Sequence, residues 1–259
     1  MNPLGLSYSQ FQILVLVFFR IAGIIFMAPV LNGQMIPMPV KVFFCFVTCG
    51  LFFNFVKDIN ISYMDSVPQL LISIISELSI GFIIGFVSQL IFTGITFAGE
   101  LIGLQIGLSI AHVLNPLENH ENSIISNFIN LMAILIFLNI NGHHWFFESL
   151  DLSLKILPLG LIHYPAKIML IVLNSFNKLF IIAIKISAPI MGTILILDLV
   201  FGFLSRMVPQ IEIFIMSIPL KISGGLIMLA LTLGSISNIL QKIISELPYT
   251  MVKIVKLLH

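Results

Sequence analysis

Apolar residues fill this chain in long stretches, and polar residues collect in a few short islands between them. A membrane-crossing helix needs about 20 consecutive apolar residues. The first such stretch runs from about Phe11 to Leu31, interrupted by Arg20 and Gly23 and ending near Pro29. The second runs from Val40 to Val56 beside Lys41 and Lys57, and Asp58 to Val67 is polar enough to be a loop. Gln69 to Val113 is too long for one upright span, and its glycines and Glu100 predict a break or turn near Ala98 to Gly103.

A polar island follows from His112 to Ser123. Ile124 to Ile140 predicts another apolar helix, closed by Asn141-Gly142-His143-His144-Trp145, with Trp145 where an interfacial aromatic belongs. Phe146 to Leu157 reads as a short amphipathic helix and Pro158 to Ala166 as a loop. Lys167 to Leu204 is a second overlong apolar stretch, expected to break at Pro189. Ile211 to Leu240 is the last long run, and the tail from Gln241 to His259 is amphipathic, its lysines favouring the cytoplasmic side. The pattern predicts an all-α integral membrane protein of about six to eight helices in a single domain, without a soluble domain.

Composition strengthens this reading. Hydrophobic residues make up 59% of the chain and charged ones 9%, against roughly a quarter charged in soluble domains. A net charge of +1 leaves no basic field for nucleic acid. Cys45 and Cys49, four apart on one apolar helix face, read as buried free thiols. No base is spaced to activate Ser109, and adjacent His143 and His144 point apart on a helix. HExxH and phosphate-binding glycine patterns are missing from the sequence. The chain is therefore read as a non-enzyme without cofactor or metal.

Three features remain. Gly81 and Gly85, and Gly99, Gly103, Gly107 and Ala111, recur at four-residue spacing, which lets helices approach closely. Such stripes serve either internal packing or docking of other subunits. Arg20, Glu77, Glu100, Lys178, Lys185, Asp198 and Lys221 are charges inside apolar stretches, which normally face partners or water. Lys41, Lys57 and Lys167 can instead snorkel to the interface. Asp198 and Arg206 share a helix face but stand two turns apart, too far to pair without a bend. The island His112, Val113, Leu114, Asn115, Pro116, Leu117, Glu118, Asn119, His120, Glu121 and Asn122 reads by composition as a surface loop. A polytopic small-molecule or ion transporter would share the broken helices and buried charges.

Four stretches in order carry a resemblance: Arg20 to Val42, Gly99 to Ser109 (GELIGLQIGLS), Asn130 to Trp145 (NLMAILIFLNINGHHW) and Ala188 to Ile222. Together they resemble the FliR family of flagellar type III protein-export gates across nearly the whole chain. The resemblance implies bent helical hairpins, with a FliP-like part over about residues 1–190 and a FliQ-like part over 191–259. It implies one copy assembled with five FliP-like and four FliQ-like chains beside FlhB-like and FlhA-like export components, in the bacterial inner membrane at the flagellar basal body. Unfolded flagellar proteins would be the substrate. It also turns His112 to Asn122 from a surface loop into a pore plug, makes Gly81, Gly85, Gly99, Gly103 and Gly107 packing or subunit-contact positions, and suggests polar contacts at Arg20, Glu100, Asp198, Arg206 and Lys221.

Overall fold

The computed structural model describes residues 7–31, 36–56, 66–108, 123–160, 167–207 and 213–258. Among them stand eight helices: α1 (Tyr8–Met27), α2 (Met38–Val56), α3 (Val67–Ile106), α4 (Ile124–Asn139), α5 (Gly142–Ile156), α6 (Lys167–Met207), α7 (Ile213–Ser245) and α8 (Leu247–Leu258). Five segments are long and apolar enough to cross a membrane. The chain is an all-α integral membrane protein, as the apolar pattern predicts.

Two expected interruptions are not there. Helix α3 continues through Ala98 to Gly103, because the residues read as a break are used for packing and capping. A methyl group on Gly99 would collide with the backbone of Ser126, so that glycine admits α4, and the Glu100 carboxylate has a partner of its own. Helix α6 likewise passes through Pro189. Proline forfeits one backbone hydrogen bond, but in a long apolar helix the neighbouring turns hold the geometry. The tail differs as well: α7 extends to Ser245, and the amphipathic segment is only α8.

The chain divides into two compact units. Unit 1 comprises Met1–Leu90, Asn141–Ser175 and Glu246–His259. Its core joins Leu16, Val17 and Ile21 of α1 with Cys45 and Cys49 of α2, Ile84 of α3, Leu150 and Leu154 of α5, and Ile254 and Val255 of α8. Both cysteines are buried free thiols, and the Cys49 thiol donates weakly to the Leu14 carbonyl at 3.6 Å. The apolar face of α8, Leu247, Met251, Ile254, Val255 and Leu258, is buried, while Lys253 and Lys256 stay exposed. Ser149 Oγ of α5 meets Met251 Sδ at 3.3 Å.

Unit 2 comprises Ile91–Ile140 and Phe176–Ser245. Ile95, Ile102 and Ile106 of α3, Ile129 and Ala133 of α4, Ile186, Ile190 and Ile194 of α6, and Ile236 and Leu240 of α7 are among its most deeply buried residues. Phe92 and Phe137 meet edge to face at 5.7 Å. Both α6 and α7 leave large apolar side chains exposed along their length, among them Ile184, Ile196, Phe203, Ile227 and Leu231.

Candidate functional site

The first polar site lies in unit 1. Arg20, in the middle of α1, has no solvent exposure, and neither has Glu77 of α3. Arg20 Nε donates to Glu77 Oε2 at 2.5 Å. Its Nη1 donates to the carbonyls of Ser153 at 2.9 Å and Leu157 at 3.3 Å, and Nη2 also reaches Leu157. Those carbonyls end α5, so the guanidinium caps a helix C-terminus, where positive charge is favoured. The second carboxylate oxygen of Glu77 accepts from the Gly160 backbone N–H at 2.9 Å. Gly160 has φ 81°, in the left-handed region that suits glycine. One ion pair thus ties α1, α3, the end of α5 and the turn at Leu159-Gly160, its two side chains closed off from solvent and bonded to backbone groups as well as to each other.

The glycines of this unit explain how α1 and α3 come so close. A methyl group on Gly81 would overlap the Arg20 carbonyl, and one on Gly85 would sit 2.6 Å from Met27 Cβ. One on Gly23 would lie 2.5 Å from the Leu78 carbonyl oxygen. Gly81 and Gly85 therefore pack within the chain. They meet this chain's own α1, which is the helix-packing side of the expectation for these glycines.

The second polar site lies in unit 2, at the end of α3. Glu100 Oε1 accepts from the Ser123 backbone N–H at 2.7 Å. Ser123 is the N-cap of α4, and its Oγ accepts from Ser126 N–H at 3.1 Å and donates to the Gly99 carbonyl at 3.4 Å. Ser126 Oγ donates to the Thr96 carbonyl at 2.8 Å. Helix α3 itself ends on Gly107, which has φ 95°. The N–H of Leu108 bonds the Gly103 carbonyl at 3.1 Å, and the N–H of Gly107 bonds that of Leu104 at 3.1 Å. This is a Schellman stop. Gly107 is thus a helix terminator beyond α3, and Gly103 is the last ladder glycine within the helix.

Two further positions complete the picture. Asp198 of α6 forms an ion pair with Lys221 of α7, the two side chains being 38% and 24% exposed. Arg206, two turns from Asp198 in sequence, lies exposed in the last turn of α6. Lys178 and Lys185 are exposed on α6. Of the seven charges expected inside apolar stretches, only Arg20 and Glu77 are fully buried. The plug residues His112 to Asn122 lie outside the described residues. Glu77 was legible as an intramembrane charge, but its pairing across 57 positions was not. Ser123 carried a visible N-cap signal, a serine just before an apolar run. Nothing local linked it to Glu100.

No group of three or more histidine, cysteine, aspartate or glutamate side chains suited to a metal exists among the described residues. Both polar sites are structural in chemistry: each satisfies backbone ends and neither presents a nucleophile beside a base.

Comparison with known proteins agrees with an export role. The model of the bacterial export proteins, family 1, matches residues 11–247. Flagellar biosynthetic protein FliR of Bacillus subtilis (strain 168) is 28% identical over 245 residues, covering 91% of each chain. The protein of that name from Aquifex aeolicus (strain VF5) is 33% identical over 226 residues, 86% of each. That from Escherichia coli (strain K12) is 28% identical over 249 residues, 88% of this chain and 91% of its own. Because the match runs from the second turn of α1 to the start of α8 and so takes in both polar sites, this multi-pass membrane chain belongs to the bacterial export proteins, family 1.

Proposed function

We propose that the chain is a non-enzymatic subunit of the flagellar type III export gate, where it helps form and plug the channel through which unfolded flagellar proteins cross the inner membrane. The observation that carries the reading is a mismatch of length. Helices α3 and α6 have 40 and 41 residues and α7 has 33. At about 1.5 Å per residue these extend roughly 50–60 Å, against a hydrocarbon core of about 30 Å. Even a tilt of about 40° leaves them longer than the bilayer. Isoleucine, leucine and phenylalanine stay exposed along α6 and α7, so lipid cannot cover all of that surface and partner proteins must.

Under this reading one copy joins five FliP-like and four FliQ-like chains, with FlhB-like and FlhA-like components alongside. Residues 1–190 act as the FliP-like part and 191–259 as the FliQ-like part. His112 to Asn122 plug the closed pore, and the tail with Lys253 and Lys256 lies on the cytoplasmic side. A conduit for unfolded chains must stop ions and hold no substrate tightly, which requires close packing and a plug rather than catalytic groups.

The test is purification of the tagged chain in mild detergent with native mass and identification of its partners. Recovery in one large complex with FliP- and FliQ-like chains is the expected result. A lone monomer or homodimer, under conditions that keep such complexes whole, would overturn it. Deleting Leu117 to Asn122 should leave that complex assembled and let ions leak across the membrane.

A further inference from the structure

We infer that Glu100 is a positioning residue for the gate: its carboxylate fastens the start of α4 to α3 and so fixes where the chain returns after the polar island. The inference rests on the plug reading above. It is carried by the arrangement of hydrogen bonds around Ser123.

In a capping box, the N-cap side chain accepts from the N3 backbone N–H while the N3 side chain reaches back to the N-cap N–H. Helix α1 does this locally: Ser7 Oγ accepts from Gln10 N–H at 3.3 Å, and Gln10 Oε1 accepts from Ser7 N–H at 3.0 Å. Helix α4 has the first half of the box in Ser123 and Ser126. The second half is missing from its own sequence, because the N3 residue is Ser126, whose hydroxyl donates to the Thr96 carbonyl instead. Glu100 supplies it from another helix, 23 positions upstream. A box that is normally local has been split between α3 and α4.

The consequence is mechanical. A carboxylate at a helix N-terminus is favoured by the helix dipole, and a charge-assisted hydrogen bond is roughly twice as strong as a neutral one. The described chain leaves α3 on a hydrogen bond to the Gly103 carbonyl and rejoins it on one to the Gly99 carbonyl. Four residues of helix separate these carbonyls by about 6 Å. Departure and return are thus pinned within about one turn of the same helix. The backbone of Ser126 lies so close to Gly99 that a methyl group there would collide with it, so the return point has little room to shift. Glu100 supplies the charged member of this clasp, and its side chain is only partly buried.

The experiment compares ion leak through the assembled, substrate-free complex for four forms: wild type, the Leu117–Asn122 deletion, Glu100→Ala and Glu100→Gln. The glutamine keeps an acceptor oxygen without the charge. Glu100→Ala should assemble at wild-type native mass and leak at no less than half the level of the deletion, and Glu100→Gln should recover most of the tightness. A leaking deletion beside a tight Glu100→Ala complex would overturn the positioning role and leave the gate reading standing. A tight deletion would overturn the gate reading and this inference with it. If Glu100→Ala fails to assemble, Ser123→Pro takes its place. Ser123 has φ −65°, the value proline's ring imposes. Ser123→Pro removes the backbone donor to Glu100 together with the hydroxyl bonds to Ser126 and Gly99, so Ser123→Ala, which loses only the hydroxyl, is its control. A Ser123→Pro complex as tight as Ser123→Ala then overturns the inference, and one that leaks more supports it.

Discussion

Arg20 and Glu77 of unit 1 lie wholly out of solvent, with their charge taken up by each other and by three backbone groups. Asp198 and Lys221 of unit 2 also pair, yet both side chains remain partly exposed. The two units place charge in equally apolar helices and put it to different use. In unit 1 the pair replaces water completely: it ends α5, holds a turn and clamps α1 to α3. Its contribution is specificity of fold, because desolvating two ions consumes most of their Coulomb attraction. In unit 2 the pair joins α6 to α7 without being enclosed, on two helices that also leave large apolar side chains uncovered. Both units expose large apolar side chains, Phe43, Phe55 and Ile75 of unit 1 among them; what separates them is that unit 1 closes its ion pair on itself while unit 2 leaves its pair open.

The largest effect should come from breaking the closed pair. Either Arg20→Ala or Glu77→Ala leaves an uncompensated buried charge and should cost about 3–5 kcal/mol, measured by unfolding of the purified chain in detergent. The paired replacement Arg20→Met with Glu77→Met should be milder than either single change, since apolar substitutes of similar volume remove the desolvation penalty along with the attraction. A double variant as damaged as the singles would mean that the bonds to Ser153, Leu157 and Gly160, not the charge balance, hold unit 1.

How much of this was legible in the sequence follows from the range of each interaction. Helix existence was, because apolar runs are local: α1, α2, α4 and α5 fall within a few residues of their expected bounds. The buried cysteines were too, from their spacing and surroundings. The expected breaks near Gly99 and at Pro189 are absent for different reasons, Pro189 because a single lost backbone bond does not end a long apolar helix. Glycine, glutamate and proline signal interruption when only their own segment is considered, but Gly99 and Glu100 answer to Ser126 and Ser123 on another helix. Arg20 and Glu100 stood out as costly charges, whereas their partners could not be named, since pairing over 57 and 23 positions leaves no periodic trace. Gly107 fell on the four-residue ladder by spacing and proved to be the helix stop.

A smaller effect separates closed from open glycines, whichever unit holds them, and substitutions at the two kinds should differ in sign. Gly81→Ala in unit 1 drives a methyl group into the Arg20 carbonyl. Backbone cannot yield as a flexible side chain can, and such overpacking typically costs about 1–3 kcal/mol. Gly192→Ala in unit 2 meets nothing within 4 Å, and alanine in a helix interior gains roughly 0.5–1 kcal/mol over glycine. Unfolding of both variants in the same detergent checks this. Equal losses would mean that the open face around Gly192 is already filled in the isolated chain.

The smallest effect on the isolated chain should come from Lys221→Ala. A partly exposed ion pair contributes about 0–1 kcal/mol, so unfolding of the purified chain should hardly register its loss. That near-silence sharpens the contrast with Glu77→Ala, provided assembly is measured too. In the proposed assembly partner helices would cover α6 and α7 and exclude the water that screens Asp198, so an unpaired carboxylate there would become costly in the way an unpaired Glu77 already is in the chain alone. Lys221→Ala should therefore lower recovery of the assembled complex more than it lowers the stability of the free chain. Replacing Asp198 with asparagine in the same variant should restore part of that recovery, because it removes the stranded charge. If Lys221→Ala instead destabilises the free chain as much as Glu77→Ala does, the pair in unit 2 is as closed as the one in unit 1, and the distinction between the two units fails.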